Sequence, residues 1–123
     1  MRCCDIGSAD EGTARRTAAA ARVWNHPEMA LTLAVLLWPH PGEDAALCAY
    51  EDEVLALLSK YGARVVSRVR RRPDDDGPLE VQIIDLPDEA ALGRYLADPQ
   101  RAKLVEVRDR AIARTDVMRV DHV

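Results

Sequence analysis

Proton transfer near neutral pH needs a group that titrates there, and His40, in the segment Pro39-His40-Pro41-Gly42, is an imidazole placed where a loop side chain can turn over a cleft. It is the candidate catalytic residue, and the alternative is a solvated loop histidine. The chain contains no Phe, two Trp and three Tyr, so Trp38, Tyr50 and Tyr95 are the natural lining for a ring-bearing ligand; singly, each also reads as core. Gln82 is an uncharged polar side chain in the middle of an apolar strand, and a buried amide must find partners. It is the candidate carbonyl or anion anchor. His40 with Glu43 or Asp44 lacks a third ligand at a known spacing, so no metal site is expected. No feature calls for a cofactor.

Cys3, Cys4 and Cys48 form neither a disulfide framework nor a zinc ribbon, which fits a reducing cytoplasm. Asp121 and His122 are neighbours in a strand and point to opposite faces, so they are not a dyad. Among other polar groups, the topology below gathers Tyr61, Asp85 and His122 at one end of the sheet and Trp38, His40, Arg72, Glu80 and Asp116 at the other.

The elements that must position these residues follow from patterning. Residues 31–38 are almost wholly apolar, as in a central strand covered on both faces. Acids at Glu43 and Asp44 open a helix whose apolar positions Leu47, Tyr50, Val54, Leu57, Leu58 and Tyr61 follow helical spacing, and Gly62 stops it. Residues 63–72 alternate, with Val65, Ser67 and Val69 on one face against Val66, Arg68 and Arg70 on the other. Residues 73–78 turn the chain into a return strand over 79–86. If even residues pair with even, Arg68 lies opposite Gln82 and Arg70 opposite Glu80. Pro87-Asp88 opens a second helix carrying Leu92, Tyr95 and Leu96; Asp98-Pro99 restarts it as a cap followed by proline. Residues 116–123 read as a last strand. The order is β-α-β-β-α-α-β, a ferredoxin-like split βαβ with one antiparallel four-stranded sheet, its first and third strands central.

The chain has 123 residues, 48% hydrophobic and 31% charged, which predicts one globular domain over residues 30–123. Residues 1–29 read as an extension, helical over 14–24 or without fixed structure, and Met29 is an alternative start. A net charge of −4 argues against a nucleic-acid or anionic-membrane partner. Only Lys60 and Lys103 are lysines among 17 basic residues, an arginine bias expected of a GC-rich bacterial genome. It weakens any arginine cluster as a functional sign.

Leu86-Pro87-Asp88-Glu89-Ala90-Ala91-Leu92, followed by Tyr95-Leu96-Ala97-Asp98-Pro99, resembles an element of the small dimeric α+β barrel proteins. That superfamily includes antibiotic-biosynthesis monooxygenases, EthD-like and YciI-like proteins, muconolactone isomerases, polyketide cyclases and uncharacterised bacterial families. The resemblance covers residues 30–123 and implies a homodimer whose sheets pack face to face, with a ligand cleft between each sheet and its own helices. No catalytic set of those families matches residue by residue. The expectation is a cofactor-independent enzyme of cyclase, isomerase or monooxygenase type acting on a small organic or natural-product molecule. The alternatives are a non-catalytic ligand-binding or dimerisation module and a haem-using relative with His40 as ligand.

Overall fold

The computed structural model describes residues 31–123; the expectations for the N-terminal extension lie outside them. Four strands, β1 (Leu31–Pro39), β2 (Arg64–Arg70), β3 (Glu80–Leu86) and β4 (Ile112–Val120), form one sheet in the order β2-β3-β1-β4. Every pairing is antiparallel. Helices α1 (Asp44–Leu55), α2 (Glu89–Leu96), α3 (Pro99–Lys103) and α4 (Val105–Ala111) complete the split βαβ order. The fold is ferredoxin-like α+β, with β1 and β3 central as their apolar content requires.

Local chemistry explains most boundaries. Asp88 and Asp98 each cap a helix, accepting from Ala91 N and Gln100 N respectively, and satisfy amide groups that the first turn leaves without partners. The expected first helix is interrupted: α1 ends at Leu55, and Leu58–Tyr61 is a separate 3₁₀ turn. Gly62 then adopts φ of 73°, a left-handed conformation that favours glycine. The last strand begins at Ile112 rather than Asp116, because pairing with β1 continues down to Pro39 and overrides the polar reading of residues 113–115.

Alternation assigns the side chains of each strand to a face. Leu33, Val35 and Leu37 of β1 lie beside Ile84, Gln82 and Glu80 of β3 and, with Leu47, Val54, Leu58 and Leu86, form the core under the helices. Thr32, Ala34, Leu36 and Trp38 face the other way. Strand β2 departs from strict alternation. Its register shifts between Val65 and Ser67, so Val65 opposes Ile84 on the helix side while Ser67 opposes Ile83 on the outer face, and Val66 is left 45% exposed. One extra residue flips everything after it. Arg68 and Arg70 thereby come to lie opposite Gln82 and Glu80, on the face covered by helices.

There they meet a buried carboxylate. Glu80 is fully buried and accepts hydrogen bonds from Arg68 Nε, from Arg70 Nε at 3.2 Å and from Gln82 Nε2 at 2.8 Å. Burial pushes its carboxyl up, but those donors outweigh it and hold the group below its ordinary value of 4.5. Glu80 therefore stabilises the fold above about pH 4.5, and the contribution disappears as pH falls through the lowered value. Removing one partner of such a cluster leaves the other charge unpaired, at about 3–5 kcal/mol. Glu80→Ala is expected to lose that much in urea unfolding at pH 7, whereas Glu80→Leu combined with Arg68→Met loses clearly less.

Candidate functional site

A cavity of about 390 Å³ lies between the sheet and the helices, within the range of small-molecule sites. Leu33, Val35 and Leu37 form its floor with Gln82 and Ile84; Tyr50, Glu51, Val54 and Leu55 of α1, and Leu92 and Tyr95 of α2, form the opposite wall. Leu96 of α2 and Val117 of β4 also line it and are half exposed, 54% and 50%, so an apolar mouth opens beside the edge strand. Arg101, Arg108, Thr115 and Arg119 complete the lining.

Of the residues singled out in the sequence, Tyr50, Gln82 and Tyr95 come together here. Trp38 does not. It follows Leu37 in β1 and so faces the outer side of the sheet, where the Arg114 guanidinium stacks 4.3 Å from its ring centroid. His40 is exposed in the turn after β1, tethered by its backbone N–H to the carbonyl of Ala111 at 3.0 Å, and is not part of the cavity wall. Asp85 and His122 do meet, at 2.9 Å, with Thr32 donating to the same carboxylate oxygen at 2.7 Å. That cluster is on the outer face, opposite the cavity. Tyr61 goes elsewhere, donating to buried Asp98, which also pairs with Lys60 at 2.8 Å.

Sequence reasoning passed over Glu51. It stands four residues after Leu47, one after Tyr50 and three before Val54, squarely in the apolar helical series. The spacing was the available signal. The residue is 6% exposed, and its carboxylate accepts from Gln82 Nε2 at 2.8 Å. The same amide nitrogen donates to Glu80, which has collected both arginines; Glu51 has no salt-bridge partner among the described residues. Burial raises its pKa, the Gln82 hydrogen bond opposes the rise, and the negative charge of Glu80 adds to it.

The tyrosines differ from one another. Tyr95 donates its hydroxyl to the carbonyl of Val54 at 3.0 Å, and burial pushes its pKa up to about 12, so it stays a neutral donor engaged with the backbone. Burial also raises the Tyr50 pKa, while the nearby Arg101 charge lowers it. Among the described residues no group of three His, Cys, Asp or Glu is placed to hold a metal ion, and the cavity wall carries no His, Cys or Met for haem iron.

No family model matches the chain, and no curated protein matches it in sequence. Solved structures do. PA3566 from Pseudomonas aeruginosa superposes with a TM-score of 0.61 at 17% identity, over 76% of this chain and 93% of that one. A dimeric protein of unknown function and ferredoxin-like fold from Bacteroides fragilis gives 0.59 at 10% identity, over 74% and 94%. SnoaB, a cofactor-independent oxygenase from Streptomyces nogalater, gives 0.57 at 17% identity, over 76% and 94%. The chain thus has a ferredoxin-like fold, the fold that its sequence resemblance implied.

A carboxyl whose folded pKa lies above its ordinary 4.5 binds a proton more readily in the folded than in the unfolded chain, so its contribution to stability falls as pH rises through that window. Glu51→Gln, which keeps the shape and the acceptor for Gln82, is therefore expected to raise the melting temperature at pH 7. The gain vanishes below about pH 4, where both states carry a neutral group.

Proposed function

We propose that the protein is a homodimeric, cofactor-independent enzyme that binds a small organic molecule between sheet and helices and acts on it by acid–base chemistry. The carrying observation is Glu51: a buried carboxyl on the wall of an apolar cavity, with one amide donor and no ion-pair partner among the described residues. Burial biases such a group toward its neutral, proton-bearing form, the direction in which enzymes tune a carboxyl for general acid or base work. Tyr50 and the edge of Gln82 are the polar contacts for the ligand, and Tyr95 contributes its ring. In this reading the proton-handling role passes from His40 to Glu51, because a base must reach the proton it takes. The fold shared with a cofactor-independent oxygenase is compatible with this chemistry, and the substrate is the chain's own question.

A direct assay follows deuterium uptake in D₂O by a bicyclic enolisable ketone such as 2-tetralone, read by NMR. The native protein is expected to accelerate exchange over buffer, and Glu51→Gln to lower that acceleration about a hundredfold or more. His40→Ala leaves it unchanged. Saturable binding without accelerated exchange would instead favour a ligand-binding module.

The homodimer rests on the side of the sheet that no described helix covers. Met118 and Val69 are 52% and 49% exposed there, flanking Leu36, Val81 and Ile83, and a sheet with apolar residues on both faces needs a second cover. Light scattering at micromolar concentration is expected to return twice the chain mass of 13.6 kDa. A value near one chain mass would sink the dimer.

A further inference from the structure

Three guanidinium groups reach the cavity wall, and two are already matched. Arg119 pairs with Glu89 through both of its donors, at 2.7 and 2.8 Å, and Arg108 lies 3.4 Å from Asp109. Arg101 has no carboxylate partner among the described residues. Its Nη1 reaches the Leu96 carbonyl at 3.4 Å, and its guanidinium lies over the Tyr95 ring, 4.8 Å from the centroid. That contact holds the guanidinium against an aromatic face at the cavity wall.

Two residues of the cavity wall also carry unmet hydrogen-bonding capacity. Among the described residues three buried side-chain polar atoms lack a partner: Arg71 Nε, Arg101 Nε and Thr115 Oγ1. The last two belong to residues that line the cavity. A buried donor without an acceptor is costly and rare in folded proteins, and two such donors belong to residues of this cavity wall. Aliphatic side chains occupy most of the remaining wall, and the mouth is apolar.

We propose that the ligand of this cavity carries a carboxylate on an apolar, ring-sized body, with the carboxylate accepting from Arg101 and Thr115 and the body packed among Leu33, Val35, Ile84 and Leu92. The inference rests on the reading of the cavity as a ligand site, and it adds the chemical class. A planar fork matches a carboxylate in a way that a single amide or hydroxyl on a ligand cannot. Arg101 also brings positive charge to a wall whose carboxylate, Glu51, is held back from ionising by burial.

The test compares naphthalene-2-carboxylate with its neutral amide, naphthalene-2-carboxamide, by isothermal titration calorimetry at pH 7.5. The native protein is expected to bind the carboxylate at least about tenfold more tightly. In Arg101→Gln, folded by circular dichroism, that preference should collapse while amide binding persists. Thr115→Val, which keeps the side-chain shape, should reduce it in part, and Arg71→Gln, off the cavity, should leave it intact. Equal binding of the two probes by the native protein would overturn the carboxylate assignment and leave the cavity reading standing. Binding of neither would overturn both. A preference that survives in Arg101→Gln and Thr115→Val alike would move the anion to another residue and so refute this site.

Discussion

Two carboxyl groups, Glu51 and Glu80, are buried within reach of one amide nitrogen of Gln82, and their surroundings push the two in opposite directions, Glu80 toward the charged form and Glu51 toward the neutral one. Coulomb repulsion between like charges in a low-dielectric interior is large. The protein resolves it by giving Glu80 two of the three arginines of the edge strand, Arg68 and Arg70, and Glu51 none among the described residues. The asymmetry leaves a stable ion cluster on one side of Gln82 and a proton-binding carboxyl on the other.

That arrangement places demands on the backbone. Arg68 and Arg70 reach Glu80 only because β2 shifts register at Val66; without the shift both would point to the outer face of the sheet. Arg68 also bonds Asp52 at 2.7 Å, next to Glu51 on α1, so the same guanidinium ties the helix to the edge strand. The exposed position of Val66 is the local cost of that placement. The core of leucines and valines beneath α1 tolerates the polar cluster because every buried charge in it has donors or acceptors within hydrogen-bond distance.

The division of the sheet into two faces separates two roles. The helix side holds the cavity, the carboxyl pair and the guanidinium of Arg101. The outer side holds Trp38 with Arg114, the cluster of Thr32, Asp85 and His122, and the apolar residues that a second copy would cover. A side chain one position along a strand changes role entirely, as Leu37 in the core and Trp38 stacked on Arg114 illustrate.

Patterning alone determined the order of elements, the central place of β1 and β3 and the Asp98-Pro99 restart, because periodicity, caps and turn residues act through neighbours in sequence; it offered the pairing of Arg68 with Gln82, which the structure has, only as one of two hairpin registers. It also marked Tyr50, Gln82 and Tyr95 as residues with polar atoms in apolar surroundings. It could not place His40 and Trp38, whose distance from the cavity depends on the direction of a loop and the parity of a strand. Only the tertiary structure decided that, among the described residues lining the cavity, Glu51 has no cation paired to it and Arg101 no carboxylate. Partners for buried charges come from elements far apart in the chain, here α1, β2, β3 and α3, and no local pattern records which of them will meet.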